Sequence, residues 1–302
     1  MALFGRHYPD ASTAYRNIKA APEGSTGGLI RNGLEELWKR YEPYADGAFA
    51  HEFAVHPDHR FWEMYLTISL LNVRKNLRRR EQVTSAERDE GPDICITKGS
   101  RRIWIEAVAP GPGDDGKPDR VPDFWQPTPD EAQKFPDRQI ELRITSSLLK
   151  KRDAFARYRD NGIVGDKDSY IVAISGGQFA AQAFGRWLPH GISAVYPFGR
   201  EITELDPETA KLRSRYEYAG EIARTKGGPI PRTAFQHQHF AGVSGLIWSL
   251  RSIGNFLGQP HDFAYIHNQV AERPIPRRWI RWADQYFSDE EGKTLHKKRR
   301  RG

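Results

Sequence analysis

Apolar side chains recur at helical spacing in residues 29–45, where Ile30, Leu34, Leu37, Trp38 and Tyr41 fall on one face. That spacing predicts an amphipathic helix. His56-Pro57-Asp58 then supplies a helix start, and FWEMYLTISLLNV (61–73) follows with Glu63 as its one charged residue. A helix that is apolar nearly all round is buried, so Glu63 is carried inside and requires a cation or a hydrogen-bond donor. The basic run Arg74, Lys75, Arg78, Arg79, Arg80 reads as a continuation of the helix. On it, 74/78 and 75/79 stack at i, i+4 and give a basic flank suited to a phosphate backbone, or simply a solvated helix end.

DICIT (93–97) and RIWIEAVA (102–109) alternate as two strands of a hairpin around Gly99-Ser100. A turn centred there pairs positions that sum to 199. Thr97 faces Arg102, Ile96 faces Ile103, Cys95 faces Trp104 and Ile94 faces Ile105. The four isoleucines form one layer, and Asp93 is set beside Glu106. A proline-rich stretch runs from 110 to 137, a helix from 138 to 162 ends at Asn161-Gly162, and SYIVAIS (169–175) reads as a central strand. Strands are expected within 242–250 and 263–271, and a helix plus a loop over 201–234. Residues 1–28 read as a loosely ordered arm, 29–287 as one α/β domain and 288–302 as a basic flexible tail.

Composition narrows the class. The chain has 302 residues, 28% of them charged, and no apolar run long enough to span a bilayer. One cysteine, Cys95, excludes an internal disulfide and suits a reducing compartment, so a cytoplasmic location is expected. The net charge is +7, but the last eleven residues hold six basic side chains and no acid, so the body is near +1. Such a tail favours any polyanion without selecting a sequence. Several motifs fail on context. Gly111 to Gly116 spells GxGxxG, but prolines and two aspartates follow where a helix should start. His51-Glu52 and His56 lack the i, i+4 histidine spacing of a zinc helix. Trp125 in the long loop is a candidate base-stacking residue or a simple anchor.

Two carboxylates side by side repel, and a divalent cation on oxygen ligands relieves the repulsion. With Glu63 as a third acid, the set Glu63, Asp93 and Glu106 is a candidate Mg²⁺ site, with Mn²⁺ as a substitute, for hydrolysis at a phosphoryl group. The bland alternative has Asp93 capping the turn after Gly91-Pro92 and Glu106 ending its strand in solvent.

The order of these residues resembles the PD-(D/E)XK nuclease superfamily: Glu63 on a first helix, Pro92-Asp93 entering a strand, and Glu106 within Trp104-Ile105-Glu106-Ala107-Val108. The resemblance covers residues 58–175. It implies a mixed central β-sheet flanked by helices, with a restriction-endonuclease-like α-β-β-α-β core. It also implies a Mg²⁺-dependent endonuclease acting on nucleic acid, DNA ahead of RNA, with restriction or host defence among the roles that fit. Asp93 and Glu106 are then the catalytic acids. The family's lysine is missing, because Val108 stands two residues after Glu106. On the following helix Gln139, Arg143, Ser146 and Lys150 form a polar stripe. Lys150 is the expected displaced lysine and Arg143 the expected phosphate clamp, unless the stripe is only a solvated face. Val108 also supports an alternative, a silent member of the fold that binds nucleic acid or protein without cleaving.

Overall fold

The computed structural model describes residues 2–123, 135–180, 188–205, 207–259, 261–289 and 294–300. Trp125 lies outside them. The chain opens with four helices, α1 (Thr13–Ala20), α2 (Thr26–Tyr41), α3 (Phe49–Val55) and α4 (Pro57–Asn72). The short α5 (Ser85–Glu90) precedes the hairpin β1 (Ile94–Lys98) and β2 (Arg101–Val108). The long helix α6 (Asp137–Asp160) then leads to β3 (Ser169–Ser175). After the single turn α7 (His190–Ser193) come two small hairpins, β4 (Phe198–Leu205) with β5 (Leu212–Tyr218), and β6 (Glu221–Ile222) with β7 (Ile230–Pro231). Strands β8 (Gly245–Ser249), β9 (Ala264–His267), β10 (Asp284–Ser288) and β11 (Leu295–Lys298) complete the chain.

Seven strands form one mixed sheet in the order β1-β2-β3-β8-β9-β10-β11. Its parallel pairs are β2 with β3, β3 with β8 and β9 with β10; the others are antiparallel. The fold is therefore α/β, a mixed sheet flanked by helices. The hairpin register agrees with the pattern of isoleucines: Ile94 pairs with Ile105, Ile96 with Ile103 and Lys98 with Arg101. Gly99 takes the left-handed φ of +60° that this two-residue turn needs.

Each sheet face has its own core. Ile94, Ile96, Ile103 and Ile105 join the layer that contains α4, all ten of whose residues from Phe61 to Leu70 are buried. The Trp62 indole N–H donates to the Ala173 carbonyl at 2.9 Å and ties α4 to β3. On the other face Trp104, Val108, Tyr170 and Val172 pack with Ile140, Ile144 and Leu148 of α6. Because side chains alternate along β2, Glu106 is presented to α6 while its neighbours Ile105 and Ala107 face α4.

Four expectations need correction. Residues 1–28 are not a loose arm. Ser12 and Ser25 cap α1 and α2, Leu3, Phe4 and Tyr15 enter the core, and the Glu35 carboxylate accepts from the Leu3 and Phe4 amides. The helix does not continue through Arg80. α4 stops at Asn72, Arg74 adopts φ +57°, and the chain then runs beside β1, with Leu77 bridged to Ile96 and the Arg78 amide on the Cys95 carbonyl at 2.9 Å. The i, i+4 stacking of 74/78 and 75/79 therefore does not exist. Residues 201–234 form hairpins instead of a helix, and the tail is partly ordered, because Leu295–Lys298 pairs with β10.

Candidate active site

Glu63 reaches the site from the buried stretch of α4, where it has two partners. The Tyr41 hydroxyl, carried by α2, donates to Oε1, and an Arg60 guanidinium N–H donates to Oε2 at 2.5 Å. Arg60 is also paired with Glu52, and with Asp46 at 3.1 Å, so one guanidinium serves three acids. Burial holds the Glu63 carboxyl above the ordinary range against the pull of Arg60 and Tyr41.

Asp93 sits one residue before β1, and its Oδ2 accepts the Ala107 amide at 2.6 Å, which clasps the turn to β2. Part of its side chain still meets solvent in the cleft, although protein packs densely around it. That packing pushes its pKa well up, and the charges of Glu106 and then Glu63 push it further, against the pull of the Ala107 amide and then of Lys151. The three acids predicted to converge thus act on one another at Asp93.

Glu106 is buried and held from α6. The Lys151 ammonium donates to Oε1 at 2.6 Å, and the Tyr158 hydroxyl donates to Oε2 at 3.0 Å. Burial and the Glu106 charge raise the Tyr158 pKa, which keeps its hydroxyl a donor. The lysine that reaches Glu106 is therefore Lys151, one position beyond the expected Lys150. Lys150 is exposed on the outer side of the helix. At 100° per residue, Lys151 and Tyr158 share a face with Ile144, Leu148 and Phe155, the side that packs on the sheet. A lysine within an apolar helical face was the signal; the polar stripe was the solvated side.

The phosphate contacts expected elsewhere fare differently. Arg143 donates to the Gly111 carbonyl at 2.8 Å and pins the loop after β2, so it is a structural clamp as it stands. Lys75 turns to Trp279, and Arg74 and Arg79 are exposed away from any shared helix face. Arg78 alone reaches the site. It pairs with Glu87 at 3.0 Å and lines a cleft of about 460 Å³ with Arg60, Arg80, Glu63 and Asp93. A second cleft of about 350 Å³, lined by His56, His59 and Lys151, shares Arg60, Glu63 and Asp93 with the first. Its His59 imidazole is held below its usual pKa by burial and then by Lys151. Both clefts thus bring Arg60 and further basic side chains together with Glu52, Glu63 and Asp93, a mixed lining of acids and cations.

The donor chemistry suits a hard divalent cation, since all three acids offer oxygen and a carboxylate has about four acceptor positions. Among the described residues, no three His, Cys, Asp or Glu side chains are gathered closely enough to grip an ion as they stand. Two of the acids are instead neutralised by Arg60 and Lys151, while Asp93 carries like-charge pressure that an added cation would relieve. Among the described residues, no helix is long and apolar enough to cross a membrane. No protein-family model matches the chain, and no curated protein or solved structure matches it either.

Proposed function

We propose that the protein is a metal-dependent phosphodiester hydrolase of the PD-(D/E)XK kind, acting on DNA. One observation carries the reading: Lys151 and Tyr158 grip Glu106 beside Asp93, whose acidity Glu106 and Glu63 jointly suppress. Like charges held together at a cleft are a recognised mark of a working site. The order of α4, β1, β2, α6 and β3, with Glu63 on α4, Asp93 just before β1 and Glu106 on β2, supports the resemblance in the sequence.

Asp93 and Glu106, with Glu63 behind them, would hold Mg²⁺ or Mn²⁺, which would neutralise phosphoryl charge and lower the pKa of a bound water. Lys151 places a fixed positive charge at the carboxylate that Val108 leaves unserved, and a preorganised cation there stabilises charge that develops at the phosphorus centre. Arg78 and Arg80 line the larger cleft and attract the backbone toward the acids. Arg60 fixes the Glu63 carboxylate in place. The silent-binder alternative drew on Val108, and the ammonium that α6 brings to Glu106 favours the active reading over it.

The test is to incubate the purified protein with supercoiled plasmid, linear duplex and RNA, with Mg²⁺, with Mn²⁺ and with EDTA. Divalent-dependent cleavage of DNA that is lost in both Asp93→Asn and Lys151→Met is the expected result. Cleavage that persists in the double variant Asp93→Ala, Glu106→Ala, or in EDTA, defeats the proposal.

A further inference from the structure

We propose that Lys75, Lys98 and Trp279 form a second contact site for the phosphate backbone of duplex DNA, at the far end of the hairpin from the acids. The choice of DNA as partner rests on the hydrolase reading above. The Lys75 ammonium lies 3.9 Å from the centre of the Trp279 ring and donates to the Trp279 carbonyl at 3.1 Å. The Lys98 ammonium lies 5.7 Å from the same ring. One indole therefore gathers two ammonium groups.

No carboxylate among the described residues offsets them. The Lys75 pKa falls to about 8, first through burial and then through Lys98, and no acid acts in the other direction. More positive charge surrounds the pair. Arg101 faces Lys98 across the hairpin, Arg74 follows the end of α4, and Arg278 adjoins Trp279; all three are exposed. Like charges brought together and partly desolvated disfavour folding, and a bound anion removes that cost.

Position indicates which anion. Lys98 stands five residues along the strand from Asp93, or about 16 Å at the rise of an extended chain. That is about five base-pair steps of B-form duplex. A backbone that enters the cleft between the acids would reach this patch within the same half-turn. The ammonium groups would position it without reading bases, as phosphate contacts do.

The experiment measures anisotropy of a labelled duplex of about 30 base pairs in EDTA, between about 50 and 200 mM salt. Lys98→Glu alters an exposed residue next to the turn, and Lys75→Gln with Lys98→Gln removes both charges. An unchanged Tm shows that each variant is folded. Lys98→Glu is expected to weaken binding about tenfold and to lower the salt slope by about one, and the double variant by about two. Unaltered affinity and slope in both variants overturns the inference, as does loss of binding to anionic phospholipid vesicles with DNA binding intact. Because no divalent ion is present, the two proposals separate. Salt-dependent binding of this kind by a protein that cleaves nothing upholds the patch and ends the catalytic reading. Cleavage with normal binding in the variants does the reverse.

Discussion

Replacing Lys151 with methionine keeps the apolar stem and removes the ammonium. Glu106 is 6% exposed and would be left with Tyr158 as its remaining partner. Breaking a fully buried pair costs about 3–5 kcal/mol. Lys151 is itself 27% exposed, so solvent screens part of the charge, and about 2 kcal/mol is the appropriate figure. For a chain of this length that corresponds to a fall of roughly 3 °C in Tm. Lys150→Met, one position away and exposed, should stay within about 0.5 kcal/mol of the parent. Adding Glu106→Gln to Lys151→Met should return part of the loss, because no unpaired charge remains buried. In the cleavage assay Lys151→Met should lose about 100-fold or more while Lys150→Met is unaffected. Equal behaviour of the two lysine variants, or a double-mutant cycle with no coupling between 106 and 151, would refute the geometry.

Three further outcomes follow from the same structure. Asp93→Asn should abolish cleavage yet stabilise the fold by about 0.5–1 kcal/mol at neutral pH, a value kept small because the group still meets solvent. The sign comes from the raised Asp93 pKa: its contribution to stability is intact below about pH 4 and is lost as pH rises through the raised value, so the advantage of the variant should vanish in acid unfolding curves. Cys95 is buried with its thiol pushed up to about 11, so an alkylating reagent at pH 8 should label it at the rate of unfolding; immediate labelling of the native protein contradicts the burial. Deleting residues 2–12 removes Leu3, Phe4 and Ala11 from the core and leaves the Glu35 carboxylate without two donors, which should cost about 3 kcal/mol or more in urea denaturation.

The parts of this architecture legible in sequence are those in which one residue pattern fixes one geometry. A two-residue turn flanked by isoleucines at alternating positions admits one register, and Asn161-Gly162 stops α6, with Gly162 at φ +72°. A lone Glu63 in ten buried positions had to find partners, and it found Tyr41 and Arg60. The rest depended on contacts far apart in the chain. Nothing local distinguishes Arg74–Arg80 from a helix; the segment is extended because β1 offers it hydrogen bonds. The hairpin of β4 and β5 did carry a signal, alternation in LRSRYEY after the turn sequence DPETAK, that length and charge obscured. Ser12 and Ser25 were visible caps hidden among scattered glycines and prolines. Lys151 differs from Lys150 by 100° of rotation, and the packing of α6 on the sheet decides between them.

Each acid of the site is fastened by a different, remote piece of chain: Glu63 by a residue 22 positions earlier, Asp93 by an amide 14 later, and Glu106 by side chains 45 and 52 later. The clasps on Glu63 and Asp93 lie within residues 41–107, whereas Glu106 gains its ammonium and hydroxyl partners only when α6 has been made and has docked on the sheet. A chain that ends before α6 would therefore carry Glu106 without either of its side-chain partners, and the last-made of these segments completes the group.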